Sequence, residues 1–212
     1  MYLKEIIING FKSFPEKTIV KINSELTAVV GPNGSGKSNI SDSFKWVMGE
    51  QSAKILRGSK MEDVIFAGTE KRKPLSYAEV DLIFNNSSKK LPVDYSEVSI
   101  KRRLYRNGDS EYLLNNNNVR LKEIRELFMD TGIGIDGYSI IGQGRIEDII
   151  SAKSDIRRKV IEEAAGIVKY KARKDESLRK LQKTEENILR INDIISEIEQ
   201  RIDPLRKQKE DA

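Results

Sequence analysis

Three glycines, a lysine and two serines stand close together in the run Gly31-Pro32-Asn33-Gly34-Ser35-Gly36-Lys37-Ser38. The spacing is that of a phosphate-cradling loop. Glycines let successive backbone N–H groups turn toward one centre, where an anion meets several donors and the positive end of the following helix. Lys37 adds a point charge for the outer phosphates of a nucleoside triphosphate, and Ser38 offers a hydroxyl to a magnesium ion. ATP with magnesium is the expected ligand. The loop needs a strand before it and a helix after it, and both are readable. Residues 26–30 form a short apolar run that predicts a strand ending at Gly31, and a helix should run from within the turn through Ile40, Phe44, Trp46 and Val47 to a stop at Gly49.

Hydrolysis asks for more than a cradle. A metal-holding acid at the end of an apolar strand, and a group that orients the attacking water, are the usual additions. Neither is found. Val80-Asp81 lies in a strand but is followed by Leu82, and the acids of Ile161-Glu162-Glu163 and Ile198-Glu199 lie on helices. The chain has no cysteine and no histidine, so catalysis is left to carboxylates, lysine, arginine, amides or a bound metal. The loop reads as half of a site.

Around the loop the first two thirds is rich in strands. Residues 2–10 and 18–22 predict two strands joined by a loop at Gly10 and Pro15, and 77–84 and 98–105 alternate like half-buried strands. Asn107-Gly108 marks a hairpin turn into a further strand at 111–114. With 212 residues, one domain plus an extended element is the expected organisation, divided as 1–153 and 154–212. Beyond Ser154 the chain is charged and almost free of glycine and proline until Pro204. Leu181, Thr184, Ile188, Ile191, Ile195, Ile198, Ile202 and Leu205 recur at alternating spacings of three and four, which is the seam of a coiled-coil strand about 35 Å long. The seam has no obvious partner elsewhere in the sequence. Pro204 should break or kink the helix near its end. An end at Ala212, seven residues past the last seam position, reads as the end of a segment rather than a natural terminus. The net charge of +5 permits a polyanionic partner without demanding one. No run of 18 apolar residues occurs, and a soluble cytoplasmic protein is expected.

Several longer motifs are more specific than the loop. Phe11-Lys12-Ser13-Phe14, Asn39 after the loop, Trp46-Val47-Met48-Gly49-Glu50-Gln51, Leu56-Arg57-Gly58, Met61-Glu62-Asp63-Val64-Ile65-Phe66-Ala67-Gly68, and the stretch from Gly142-Gln143-Gly144 to Glu163-Ala164-Ala165-Gly166 span the chain. Together they resemble the N-terminal head segment of structural maintenance of chromosomes (SMC) proteins of bacterial type. The resemblance implies an α/β fold: the N-terminal lobe of an ABC-type P-loop ATPase head, of mixed and antiparallel strands with the P-loop helix, and a protruding coiled-coil helix. In that family the metal-binding aspartate, the catalytic glutamate and the signature motif belong to a C-terminal lobe distant in sequence. That lobe would complete the half-site and supply a partner for the seam.

Carried onto this sequence, the resemblance has Pro32, Asn33, Gly34, Ser35, Gly36, Lys37, Ser38 and Asn39 wrap the phosphates, with Lys12 and Ser13 near the nucleotide. Gln143 becomes the glutamine that reaches magnesium beside Ser38 and reports on the γ-phosphate. Arg57 becomes an arginine reaching phosphates on its own or a facing head, which makes Lys37, Arg57 and Gln143 the implied catalytic set. Lys60, Arg120 and Lys122 are candidates for a salt-dependent, sequence-independent DNA contact, and Arg102, Arg103 and Arg106 are weaker ones. Implied partners are the C-terminal lobe of the same protein, a second SMC head in a homodimer, a kleisin with accessory subunits, and DNA, in the cytoplasm at the nucleoid. Two other readings compete: a DNA-repair ATPase of the same split architecture, and a coiled-coil structural protein that binds nucleotide without turning it over.

Overall fold

Alternating branched and aromatic residues build one sheet. In a computed structural model describing residues 1–22, 26–129, 131, 158, 162 and 167–210, the strands are β1 (Tyr2–Asn9), β2 (Thr18–Lys21), β3 (Tyr77–Asn85), β4 (Glu97–Tyr105), β5 (Ser110–Leu114) and β6 (Asn117–Val119). They lie in the order β2-β1-β3-β4-β5-β6, every neighbouring pair antiparallel. Register puts apolar side chains in rows across one face. Ile6 stands opposite Leu82, Leu82 opposite Ile100, and Ile100 opposite Leu114. The next row runs Ile8, Val80, Arg102, Tyr112, Val119, so a single arginine occupies a core position.

Helix α1 (Lys37–Val47) packs against β3 and β4 on this face. Trp46 and Val47 are fully buried, the Trp46 ring lies 5.2 Å from that of Phe11, and Phe44 meets Phe84 edge-on at 6.4 Å. Burying such side chains stabilises by roughly 1.5–3 kcal/mol each, which anchors the end of α1 remote from the glycine loop. Gly49 (φ 105°) ends the helix. The turn after β1 is pinned in turn: Lys12 N–H donates to the Val64 carbonyl at 2.7 Å, and Phe66 N–H to that of Gly10 at 2.8 Å. A Cβ at Gly10 (φ 67°) would sit 2.5 Å from the Tyr77 carbonyl oxygen, so this turn requires glycine.

Three elements go beyond the sequence reading. A 3₁₀ turn covers Met61–Val64, helix α2 covers Leu121–Phe128, and Asn115 and Asn116, both at positive φ, turn β5 into β6. Against expectation, residues 26–30 form no strand, and Leu26, Val29 and Val30 are exposed. A strand persists where a neighbour completes its ladder, and the six-stranded sheet does not include this run.

Two compact units divide the chain, Met1–Gly166 and Ile167–Ala212. The second is helix α3 (Val168–Glu210), 43 residues long. Leu181, Ile188, Ile191, Ile195, Ile198 and Ile202 of the expected seam are all exposed along it. Of the break or kink expected at Pro204, a break does not occur, since the helix continues to Glu210. Proline removes one donor, and a helix this long keeps its ladder on either side. Among the described residues no helix is long and apolar enough to cross a membrane.

Candidate nucleotide-binding site

The loop at 31–38 takes the backbone its glycines predict. Gly34 and Gly36 lie at φ 82° and 93°, and Gly36 is the N-cap of α1, so the first helical residue is Lys37. No side chain caps this end. Its early N–H groups, among the orphans of every helix start, therefore face the loop. A Cβ on Gly36 would meet Ser13 Oγ at 2.8 Å, and one on Gly31 would meet Ser35 Oγ at 2.8 Å. At Gly36 the left-handed backbone adds strain to that contact, while at Gly31 the Ser35 hydroxyl would have to turn aside. Above Gly34 a Cβ would meet nothing within 4 Å, and residues 31–35 are exposed. The loop is tight within and open on its outer side.

Lys37 folds back over its own loop, its Nζ donating to the carbonyls of Gly31 at 2.6 Å and Pro32 at 2.7 Å. An ammonium held by carbonyl oxygens can exchange them for phosphate oxygens with a gain in Coulomb attraction. Asn39 joins the loop to the turn after β1, with its Nδ2 donating to Ser13 Oγ at 2.8 Å. Ser13 thus lies against the loop. Lys12 does not point into it: its Nζ donates to Asp42 Oδ2 at 2.6 Å and to the Leu56 carbonyl. Arg57 comes close by another route. Its Nε donates to Asp42 Oδ2 at 3.1 Å, and its Nη2 donates both to Asn39 Oδ1 at 3.1 Å and to Asp42 Oδ2.

Asp42 is the residue the sequence reading missed. It is buried on α1 and ion-paired to both Lys12 and Arg57. No local pattern marked it, because both partners come from other segments of the chain. Arg102 was misread. It is 4% exposed, its Nη1 donates to the carbonyls of Trp46 and Glu50, each at 2.8 Å, and its guanidinium lies 4.8 Å from the Trp46 ring and 4.9 Å from that of Tyr112. An arginine so enclosed closes the C-terminal end of α1, where its charge suits the helix dipole. It is not a surface group for DNA. Burial pushes its pKa down from the free value. Arg103 is bound to Glu79 and Glu111, and Arg106 to the Leu75 and Phe66 carbonyls, so both are engaged within the fold.

The remaining candidates lie at the 3₁₀ turn and at the start of α2. Lys60 caps the 3₁₀ turn, where Asp63 accepts the Ser59 and Lys60 N–H groups at 2.8 and 3.0 Å and has its pKa lowered by those two bonds. Arg120 caps α2, its N–H donating to Glu123 Oε1 at 3.0 Å, and Lys122 pairs with Glu126 one turn on. All three side chains are exposed. Gln143 lies outside the described residues.

Residues 2–182 match the family described as RecF/RecN/SMC N terminal domain. The Chromosome partition protein Smc of Clostridium kluyveri is 56% identical over 212 residues, which is all of this chain and 18% of that protein. The chain therefore spans about a fifth of the length of the curated relatives it matches. Among solved structures, the Smc head domain of Pyrococcus furiosus, with an extended coiled coil and bound to the C-terminal domain of ScpA, gives a TM-score of 0.75 at 40% identity, covering 92% of this chain and 50% of that one. A structure from work on ATP-driven dimerization and DNA stimulated activation of SMC ATPases gives 0.70 at 39% identity, covering 77% of this chain and 99% of that one. A glycine loop opening a helix beneath an antiparallel sheet, matched over 2–182 to one family, places this chain in the RecF/RecN/SMC N-terminal domain family.

Proposed function

We propose that this chain is the ATP-binding half of an SMC-type ATPase head, whose engagement on ATP is coupled to holding and organising DNA in chromosome partition. The observation that carries the reading is the loop at 31–38. Its left-handed glycines open α1 at Lys37, and among the described residues the Lys37 ammonium is held by two loop carbonyls. Similarity to ATPase heads, one of them from work on ATP-driven dimerization and DNA stimulation, supports the assignment.

In this reading the N–H groups of Gly34, Ser35, Gly36 and Lys37 and the start of α1 bind phosphate oxygens. Pro32 and Asn33 shape the approach, and Asn39 and Ser13 brace the loop against the turn after β1. Lys37 leaves the carbonyls of Gly31 and Pro32 to neutralise the outer phosphates. Magnesium fits the donor set only in part. Ser38 has an exposed hydroxyl that no described residue engages, while the described residues contain no cluster of three metal-ligating side chains. Magnesium bound there would supply positive charge against the phosphates. Ser38 and Gln143 are the ligands assigned to this chain, and Gln143 also senses the γ-phosphate. Arg57 stabilises charge on the transferring phosphoryl group.

Turnover belongs to the assembly. The exposed apolar run at 26–30, ending at the loop, is assigned to a sheet completed by the C-terminal lobe, and the exposed seam of α3 to the returning coil of the same protein. A second head closes over the γ-phosphate to form the homodimer. A kleisin with its accessory subunits docks near the neck; the Smc head domain of Pyrococcus furiosus is bound to the C-terminal domain of ScpA. Lys60, Arg120 and Lys122 contact DNA phosphates, and the whole resides in the cytoplasm on the chromosome. Phosphate release by this chain with its C-terminal lobe and DNA tests the reading. Hydrolysis that requires both lobes supports it; none with both lobes present, or robust hydrolysis by the 212-residue chain by itself, refutes it.

A further inference from the structure

One buried carboxylate beside the glycine loop holds two cations from different segments. Asp42 lies on α1 a little over one turn beyond Lys37. Its Oδ2 accepts from Lys12 Nζ and from both Nε and Nη2 of Arg57. Both cations stand on left-handed backbone, Lys12 at φ 48° and Arg57 at φ 58°. Side chains other than glycine adopt that conformation where the surroundings hold them to it. Lys12 Nζ also donates to the carbonyl of Leu56, so the residue preceding Arg57 is tied to the same centre. Arg57 Nη2 reaches Asn39, and Asn39 reaches Ser13, which touches the loop at Gly36. The ring of contacts closes around the start of α1.

Within that ring Arg57 is gripped along one edge only. Its Nε and Nη2 are taken, Nη1 has no acceptor among the described residues, and its side chain is 52% exposed. A planar guanidinium fixed along one edge presents the other in a set direction. We infer that Asp42 is a positioning residue for Arg57: it clamps the Nε–Nη2 edge, with Lys12 as its brace, so that the Nη1 edge faces a nucleotide phosphate. This rests on reading the loop as an ATP site. Asp42 does not itself touch phosphate, because like charges would repel.

The charge arithmetic gives positioning a signature of its own. Asp42→Asn leaves Lys12 and Arg57 without their counter-charge, so attraction for phosphate is kept or strengthened while the aim of Arg57 is lost. An aspartate needed only for folding would lose affinity and turnover together. The test uses the full-length protein with DNA, comparing wild type, Asp42→Asn, Arg57→Ala and the double variant. ATP affinity is read by displacement of a fluorescent nucleotide, and turnover by phosphate release. Asp42→Asn is expected to bind ATP at least as tightly as wild type while its turnover falls about 10- to 100-fold, the usual scale for groups that orient a functional side chain. The double variant is expected to turn over no more slowly than Arg57→Ala.

Arg57→Lys, at a half-exposed position that spares the fold, keeps the charge but cannot be gripped along an edge. It should match Arg57→Ala in turnover, and it decides the question alone if Asp42→Asn does not fold. Turnover near wild type in Arg57→Lys or Asp42→Asn, weakened ATP binding in Asp42→Asn, or additive losses in the double variant would each overturn the inference. If wild type itself binds no ATP, the nucleotide reading falls and takes this one with it. If wild type binds ATP, those results defeat only the role of Asp42.

Discussion

Replacing Arg102 with methionine removes a buried charge while keeping an unbranched chain of similar reach. The side chain supplies two hydrogen bonds to the last carbonyls of α1 and its extension, from Trp46 and Glu50, and lies against two aromatic faces. A hydrogen bond from a charged donor is worth about 1.5–3 kcal/mol, and each carbonyl left buried without a partner carries a desolvation cost of about 1–3 kcal/mol. The guanidinium over Trp46 and Tyr112 adds roughly 1 kcal/mol. Opposing these losses, methionine no longer has to be held out of water as an ion, which returns a few kcal/mol. A net destabilisation of about 2 kcal/mol follows, with Arg102→Ala worse by the cavity it leaves. Urea unfolding of the head assembled from both lobes should show a lower midpoint with an unchanged slope. The loss sits at the end of α1 remote from the loop, so ATP affinity should change less than about three-fold, or roughly 0.7 kcal/mol. A midpoint equal to wild type would refute the assignment of Arg102 to the core.

Replacing Lys60, Arg120 and Lys122 together with glutamate should weaken DNA binding by the assembled heads and reduce its dependence on salt, leaving nucleotide affinity unchanged. A salt slope identical to wild type would remove these residues from the DNA site. Tyr112 carries a buried hydroxyl with no hydrogen-bond partner among the described residues. Tyr112→Phe should therefore be neutral or stabilising by up to about 1 kcal/mol in the same urea titration. Burial also raises the Tyr112 pKa above 10.0, with the charges of Arg102 and Arg125 opposing the shift. A phenol whose folded pKa is raised contributes stability that is complete below its unfolded pKa and is lost as pH rises through the folded value. Wild type should accordingly lose stability relative to Tyr112→Phe above pH about 10, and parallel curves would contradict this.

What the sequence revealed and what it concealed divide on physical lines. β1, β3, β4, α1 and the Asn107-Gly108 hairpin were legible because local period and turn chemistry alone determine them. β6 was hidden because Asn117 and Asn118 have little strand propensity, and their pairing comes from the preceding turn. Arg102 was unreadable as core because its alternation with Val98, Ile100 and Leu104 places a charge where an apolar residue is expected. Residues 26–30 mislead in the opposite direction: their composition is that of a strand, but a ladder needs a neighbour that these residues cannot supply. At the site, the loop was plain from spacing. Asp42 was not, since its meaning comes from Lys12 and Arg57, which only the fold brings to it.

The claim on which all else rests is that residues 31–38 bind ATP through Lys37 and the start of α1. Calorimetric titration of the chain with ATP and magnesium, beside the Lys37→Ala variant, tests it most directly. Binding by the wild-type chain that weakens about 10- to 100-fold in Lys37→Ala, the loss expected for one charge-assisted contact, is the predicted result. The same affinity in both, or no binding by the wild-type chain, would contradict it.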